Sequence, residues 1–167
     1  MAGQNAEQAG SVERVRAILA AAGLGDAIVE FPAGTRTAID AAAAVGCTVA
    51  QIAKSIVFRA PDPAGDRPVL VIASGINRVD PAKVAAVLGR PIKLADADWV
   101  RATTGFAIGG VAPVGHRVAP LLLFDRDLLA LALVWAAAGS PRHVFALSPA
   151  ALIRLTEAVV ADVRTER

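Results

Sequence analysis

The chain has 167 residues, a length typical of one domain, and its 55% hydrophobic residues are enough to form a single core. Seventeen Lys and Arg against fifteen Asp and Glu give a formal net charge of +2, which is only a weak preference for anionic partners. The one cysteine, Cys47, excludes a disulfide within the chain and agrees with a reducing compartment; a small buried hydrophobe is its simplest interpretation, and a reactive thiol is the alternative.

The amino terminus is predicted to be irregular. Residues 1–10 are small and polar without hydrophobic periodicity, which is typical of a disordered tail, so we expect a single ordered domain over residues 11–167. This segment lacks the basic patch and apolar stretch of a secretory signal, which favours a soluble, cytoplasmic protein. Order is expected from Ser11, which can cap a helix whose apolar stripe includes Val15 and Leu19.

The first half of the chain is predicted to alternate short strands and helices. Thr37 and Thr48 stand where helix caps are expected, and a turn rich in Asp, Pro and Gly separates two apolar runs, as in a hairpin. The predicted elements are a strand over residues 27–31, a helix over 37–45, a helical turn over 48–53 and two strands over 54–59 and 69–72.

The second half continues this mixture. Asp80-Pro81 and Ser148-Pro149 each combine a capping residue with a first-turn proline, and Asp96 can cap a helix that ends at Gly105. Strands are predicted over residues 91–94, 121–124 and 143–147, a last helix over 149–156 and an apolar run over 159–163, with 128–135 ambiguous between helix and strand. Because strict βαβ alternation is absent, the pattern favours a mixed sheet or barrel with packed helices.

One apolar region is long enough to be tested as a membrane span. The mean hydropathy of the chain is +0.54, and residues 118–139 are its longest apolar region. Asp125, Arg126 and Asp127 interrupt this region, leaving no run near the ~20 apolar residues that a bilayer requires. We therefore expect no membrane association.

Several common catalytic motifs are absent from the sequence. It has no P-loop, no dinucleotide-binding glycine pattern and no serine in a G-x-S-x-G context. His116 and His143 are isolated, with no cysteine or second histidine at ligand spacing, so neither a metal site nor a cofactor is expected. An enzyme of this sequence would have to work without the usual nucleophile or metal.

Basic residues are concentrated in the middle of the chain. Residues 52–93 contain seven basic and three acidic side chains, which could form an anion-facing surface, although an ordinary solvated face explains the same count. A loop rich in Gly and Pro then follows over residues 105–115, between two ordered segments. Loops held by a scaffold are where chemistry is often placed.

Two segments resemble the YbaK family, which includes the editing domain inserted in bacterial prolyl-tRNA synthetases and its free-standing relatives. The first is IAKSIVF at residues 52–58, and the second is TGFAIGGVAPVG at residues 104–115. The family pattern has a Lys followed by Ser or Thr and an apolar strand, and then T-G and G-G-x-x-P-x-G some fifty residues later. With supporting matches at Val79-Asp80-Pro81 and at residues 160–163, the likeness covers about residues 12–163.

The resemblance implies an α+β domain built on a distorted mixed β-barrel with helices packed around it. It also implies a hydrolase that acts in trans on the ester between a wrongly attached, small or medium-sized amino acid and the terminal ribose of tRNA. The implied partners are the acceptor end of mischarged tRNA and an aminoacyl-tRNA synthetase, with no DNA expected. A non-catalytic tRNA-binding or synthetase-associated module of the same fold is the alternative.

The resemblance also implies site residues. The lysine matched by Lys54 is the one most often essential in the family, whereas outside such a motif a solvated lysine is expected. An ammonium suits a phosphate or ribose oxygen. The loop bearing Gly105, Gly109, Gly110 and Pro113 is expected to line the acyl pocket, with backbone N–H groups at the two adjacent glycines stabilising an oxyanion; a tight turn alone is the alternative. Water or a ribose hydroxyl would then be the nucleophile.

Two further positions follow from the same alignment. Phe31 matches an aromatic position beside the family's pocket, where a ring could stack on the terminal adenine, although a core phenylalanine fits equally well. His143 matches a histidine that shapes the amino-acid pocket of the synthetase-inserted domain, with a surface histidine as the alternative. Near Val144, cysteine-specific relatives carry an acidic side chain, so this pocket is expected to be more apolar and cysteine is disfavoured as the substrate.

Overall fold

The structure is a computed structural model that describes residues 2–166; Met1 and Arg167 lie outside the described residues. The α-helices are α1 (Ala2–Ala21), α2 (Ala38–Val45), α3 (Pro81–Leu88), α4 (Ala97–Thr104) and α5 (Pro149–Thr156). The strands are β1 (Ile28–Glu30), β2 (Ala53–Ala60), β3 (Arg67–Ser74), β4 (Lys93–Leu94), β5 (Leu121–Asp125), β6 (Val134–Ser140), β7 (His143–Leu147) and β8 (Val159–Ala161). Short 3₁₀ helices lie at Val49–Gln51 and Arg126–Ala130.

The strands form two sheets that meet along β2 and β6. The larger sheet has the order β4-β2-β3-β5-β8, in which β2 pairs antiparallel with β3 and β4, while β3, β5 and β8 run parallel. The smaller sheet is antiparallel with the order β1-β7-β6. One isolated bridge, between Ile52 and Trp135, joins the two sheets. The α+β class is confirmed, but within residues 2–166 the two sheets do not close into a barrel.

The apolar core lies on both faces of the central strand β3. Its side chains alternate, so that Leu70 and Ile72 join a large cluster with α1, α4, α5 and the smaller sheet. Val69 and Val71 join a second cluster on the other face, against Val84 of α3. A central strand buried on both faces is expected to read as a continuous apolar run.

The predicted start of the first helix is wrong. The helix begins at Ala2 instead of at Ser11, so residues 2–10, predicted as an irregular tail, are described as its first turns. Their Ala, Gln and Glu residues are strong helix formers, which periodicity alone does not register. Ser11 does not cap the helix: its buried hydroxyl donates to the carbonyls of Glu7 and Gly105. The predicted stripe with Val15 and Leu19 is buried.

Most other helix and strand boundaries agree with those predicted from the sequence, because helix caps are local signals. The ambiguous stretch over residues 128–135 is split between the end of the 3₁₀ helix Arg126–Ala130 and the start of β6 at Val134. The predicted helical turn over residues 48–53 is a 3₁₀ turn that ends at Gln51, since β2 already begins at Ala53. Across residues 2–166, no helix is both long and apolar enough to span a bilayer.

Candidate functional site

A cleft of about 240 Å³ lies where the two sheets meet. Its walls come from the segment before α2, the start of β2, the glycine-rich loop and the β6–β7 hairpin. The apolar part of the wall includes Ala38, Ala41, Ile56, Val111, Trp135 and Val144. Its ionisable side chains are Lys54, Arg36 and His143, and no carboxylate of residues 2–166 belongs to the lining. The cleft is therefore apolar with a few cationic or polar groups, as small-molecule sites commonly are.

Lys54 is the half-buried cation of this cleft. It lies second in β2, and its Nζ lies 3.5 Å from the carbonyl oxygen of Gly75, a long contact that leaves most of its donor capacity free. Burial lowers the pKa of Lys54 below the usual value of a lysine, and the charge of Asp125 partly opposes this shift. Among residues 2–166, Lys54 takes part in no salt bridge, so its ammonium can bind a ligand oxygen.

The backbone beside Lys54 is held by the buried carboxylate of Asp125, which is 1% exposed. Its Oδ2 accepts the Ser74 N–H at 3.0 Å and the Asn77 amide at 2.8 Å, so it fixes both sides of Gly75. Gly75 itself approaches the chain closely, because a Cβ there would lie 2.3 Å from the Val49 carbonyl oxygen. This network positions the carbonyl that Lys54 contacts.

The glycine-rich loop supplies backbone donors to the opposite wall. The Gly110 N–H donates to the Ala107 carbonyl at 3.0 Å, closing a turn whose third residue, Gly109, has φ +92°. A positive φ at that position is what type II turns require of glycine. Gly110 is therefore not a free donor. Within residues 2–166, the N–H groups of the three loop residues that line the cleft, Ile108, Gly109 and Val111, have no hydrogen-bond partner.

The same loop packs tightly on the β6–β7 hairpin. A Cβ on Gly110 would lie 2.7 Å from the Cα of Ser140, so only glycine fits this contact. Gly109 lies near Pro141, whose Cγ would be 3.8 Å from an added Cβ. The position of the loop is thus fixed relative to the strand that carries His143.

His143 begins β7 and is held by Ser140. The Ser140 Oγ lies 2.6 Å from Nδ1 of the ring and accepts the Arg142 N–H at 3.0 Å, which leaves the hydroxyl hydrogen to donate to a neutral imidazole. Glu30 lies 3.9 Å from Nε2 on the outer side. Burial lowers the pKa of His143 below its usual value against the opposing charge of Glu30, so the ring is neutral near pH 7.

The structure brings together part of the predicted site. Lys54, Gly109 and His143 all line the one cleft, although they come from β2, the loop after α4 and β7. Gly110 lies behind the lining, against Ser140. The lysine and the glycine-bearing loop therefore converge as the two motifs require.

Besides Gly110, three other predicted residues lie outside the cleft lining. Gly105 ends α4 with φ +80°, and its carbonyl faces Ser11 and Arg14 of α1. Pro113 is buried. Phe31 is 6% exposed and belongs to the core, where its backbone bonds to Arg142, so its ring is not positioned to stack on a ligand in this cleft. The resemblance implied that these three residues bind the substrate, and none of them belongs to the wall of this cleft.

Several residues of the site were not indicated by the motifs. Ser55 lines the cleft with a buried hydroxyl that has no partner within residues 2–166, and Arg36 is exposed at its edge. Ser55 follows Lys54 in the motif and could have been chosen from it. Gly75 and Asp125 act through contacts between distant parts of the chain, for which the sequence carries no local signal. Ser140 is only three residues from His143, and its contact depends on the geometry of the β6–β7 hairpin.

The basic stretch over residues 52–93 is for the most part a paired surface. The ion-paired residues are Arg59, Lys83, Arg90 and Lys93, with Asp66, Asp162, Asp62 and Asp66 as their respective partners. Such exposed pairs contribute little net charge to a binding surface. Lys54 differs from these residues, because its charge is directed into a cleft. Across residues 2–166, no group of three or more His, Cys, Asp or Glu side chains is arranged to hold a metal ion.

The fold and cleft define a small α+β domain with an apolar, cation-bearing pocket at the junction of two sheets. Residues 32–155 match the profile of the aminoacyl-tRNA editing domain, which is well over half of the chain. The chain belongs to the aminoacyl-tRNA editing domain family, in agreement with the resemblance carried by its two motifs.

Individual relatives agree with this membership. The uncharacterized protein YwhH of Bacillus subtilis (strain 168) is 31% identical over 122 residues, which are 73% of this chain and 76% of that protein. A crystal structure of a candidate trans-editing enzyme for prolyl tRNA synthetase is 45% identical, with a TM-score of 0.85 over 93% of this chain and 98% of that one. The crystal structure of hypothetical protein APE2540 is 30% identical, with a TM-score of 0.82 over 91% and 99% of the two chains.

Proposed function

We propose that this protein is an aminoacyl-tRNA deacylase that acts in trans, hydrolysing the ester between a wrongly attached amino acid and the terminal ribose of tRNA. The observation that carries this proposal is that one cleft is lined both by the ammonium of Lys54, which forms no salt bridge within residues 2–166, and by loop residues whose N–H groups have no partner in that range. Membership of the editing family and similarity to a candidate trans-editing enzyme support the same reaction.

Lys54 would hold the tRNA end. The 3′ terminus presents phosphate and ribose oxygens, and an ammonium with three donors, whose one protein contact is the long bond to the Gly75 carbonyl, suits them. Arg36 at the edge of the cleft adds a second cation, while the lining has no carboxylate to repel the substrate. The cleft therefore attracts the anionic end of its substrate although the net charge of the chain is only +2.

The glycine-rich loop would stabilise the transition state. Attack on the ester carbonyl builds negative charge on its oxygen, which preorganised backbone N–H groups can bind. In the part of the chain that the structure describes, the N–H groups of Gly109 and Val111 have no protein partner, while that of Gly110 bonds within its turn. The loss of one such donor typically costs ~10²–10³ in rate. Water or the neighbouring ribose hydroxyl would be the nucleophile.

The cleft favours a small or medium-sized apolar amino acid. Its apolar wall is formed mainly by alanine, valine and isoleucine side chains, including the buried Val144. A volume of about 240 Å³ limits the acyl group that it can enclose. One methylene is worth only ~1–3 kcal/mol of discrimination, so the preference is expected to be graded.

The test is deacylation of a panel of mischarged tRNAs carrying Ala, Ser, Thr, Cys and slightly larger non-standard acyl groups. The wild type is expected to release at least one small apolar amino acid, and Lys54→Ala is expected to lose this activity while it remains folded. Lys93→Ala, which changes an exposed lysine outside the cleft, serves as the matched control. Binding of tRNA without release of any acyl group would instead identify a non-catalytic module of the same fold.

A further inference from the structure

Arg14 of α1 contacts both ends of the glycine-rich loop, although α1 lies outside the segment that matches the editing family. Its Nη2 donates to the carbonyl of Gly105 at 3.2 Å, and its Nε donates to the carbonyl of Gly115 at 3.1 Å. Both glycines have positive φ angles, 80° and 82°. One guanidinium thus joins the beginning and the end of the loop.

The guanidinium also packs on the loop's first aromatic ring. The Cζ of Arg14 lies 4.9 Å from the ring centroid of Phe106, a cation–π contact, and Phe106 is 1% exposed. The Phe106 ring also packs edge to face on His116, with 5.3 Å between the two ring centroids. Ser11, one turn before Arg14, donates to the same Gly105 carbonyl at 3.1 Å. The base of the loop is therefore anchored on α1 by several independent contacts.

Arg14 makes these bonds to neutral carbonyls, and within residues 2–166 it forms no salt bridge. The planar fork of a guanidinium can reach two acceptors at once, which a lysine ammonium on a flexible chain does less well. The role of Arg14 is therefore geometric, since its charge has no carboxylate to neutralise.

The packing behind the loop leaves α1 little freedom to move. A Cβ on Gly105 would lie 2.6 Å from Nη2 of Arg14, and a Cβ on Gly139 of β6 would lie 2.8 Å from the backbone of Ser11. The next residue of β6, Ser140, is the one that Gly110 contacts. A shift of α1 would reach the loop both directly and through β6.

We propose that Arg14 is a positioning residue for the editing reaction: by joining both ends of residues 105–115, it sets where the Gly109 and Val111 N–H groups lie in the cleft. The proposal rests on the proposed deacylase function. It adds a residue of the amino-terminal helix to a site whose other members lie within residues 32–155.

The experiment compares three variants of the full chain. Arg14→Met keeps the length and apolar contact of the side chain but removes its donors, and Arg14→Lys keeps the charge with fewer bonds. Arg154→Met, at an exposed position of α5, is the matched control. Each variant is examined by amide hydrogen exchange and by steady-state deacylation of the acyl-tRNA that the wild type cleaves best.

Arg14→Met is expected to speed exchange over residues 106–115 by about tenfold or more, with β3 unchanged. Its kcat should fall about 10- to 100-fold with little change in KM. Misplaced N–H donors weaken the binding of the transition state more than the binding of the substrate. Arg14→Lys should be intermediate, and Arg154→Met should match the wild type. If Arg14→Met does not fold, the proposal is tested with Arg14→Lys by the same hydrogen-exchange and deacylation measurements.

Unchanged loop exchange in a folded Arg14→Met would overturn the proposal, and so would faster loop exchange with kcat unchanged. A uniform rise in exchange across the chain, with KM and kcat altered alike, would indicate a purely structural role and also overturn it. If the wild type releases no amino acid, the proposed function fails, while the exchange data still decide whether Arg14 holds the loop.

Discussion

At the scale of single residues, Lys54 occupies a place where its charge is unfavourable to folding. Burial lowers its pKa below the usual value of 10.5, against the smaller opposing effect of Asp125. When a lysine has a lower pKa in the folded state than in the unfolded state, its charge destabilises the fold below the folded pKa. This cost disappears as the pH rises through the folded pKa towards the unfolded value. A residue that reduces stability is expected to be kept for function.

Replacing Lys54 should therefore separate stability from activity. We expect Lys54→Met to melt at the same temperature as the wild type or higher at pH 7, with the difference narrowing as the pH rises towards 10.5. Deacylation should fall at least ~100-fold. Thermal melts across this pH range and deacylation assays provide the measurement, with Lys93→Met as the control. A marked loss of stability confined to Lys54→Met would show that the lysine is a structural residue.

Asp125 should tune the pH dependence of the reaction. Its negative charge raises the pKa of Lys54, so Asp125→Asn should lower that pKa further. The alkaline limb of the kcat/KM profile, where the ammonium loses its proton, should then move to lower pH. Asp98→Asn, at an exposed carboxylate of α4, should leave the profile unchanged. An alkaline limb at the same pH in both variants would contradict this role.

The candidate site was predictable from sequence only where it coincides with a motif. Lys54, Gly109 and His143 could be chosen because their identity and neighbours in the chain match a known pattern. Ser140 and Gly75 could not be chosen in this way, because their roles depend on the folded geometry. Ser140 contacts the His143 ring, and Gly75 contacts the Lys54 ammonium.

At the scale of elements, the best predicted boundaries are those with a side-chain cap. The Thr37 hydroxyl accepts the Asp40 N–H in a capping box, Asp80 accepts the Ala82 N–H, and Ser148 accepts the Ala151 N–H. These signals lie within three residues, so sequence alone contains them. The sequence has no Ser, Thr, Asp or Asn directly before Ala2, where α1 begins, and residues 128–135 change from helical to extended because β6 pairs with β7.

The glycine-rich loop provides a prediction at this scale. Gly110→Ala would place a methyl group 2.7 Å from the Cα of Ser140, so the loop must move away from the hairpin. We expect a loss of about 1–3 kcal/mol in the free energy of unfolding, together with reduced deacylation. The measurements are urea denaturation and single-turnover deacylation.

The matched control is Gly10→Ala, also a glycine-to-alanine change. Gly10 is inside α1 and has nothing within 4 Å of an added Cβ, so alanine there should stabilise the fold by roughly 0.5–1 kcal/mol. Gly110→Ala with wild-type stability and activity would mean that the loop is not held against Ser140.

At the scale of the whole molecule, the cleft lies at the junction of two sheets and takes a wall from each. The mixture of helices and strands predicted an α+β class from sequence, and the resemblance implied a barrel. The parallel pairing of β3, β5 and β8 and the bridge between Ile52 and Trp135 join residues far apart in the chain, which hydrophobic periodicity does not encode. The junction, and with it the cleft, could therefore only be described from the structure.

The most direct measurement of the central claim is a binding titration with a non-hydrolysable 3′-aminoacylamino-adenosine, followed by nuclear magnetic resonance. Saturable binding should shift the backbone amides of Gly109 and Val111 and the side-chain signals of Lys54 together, with the same dissociation constant. Binding that shifts other parts of the chain, such as the polar hollow lined by Arg16 and Glu30, and leaves these three groups unchanged would contradict the account.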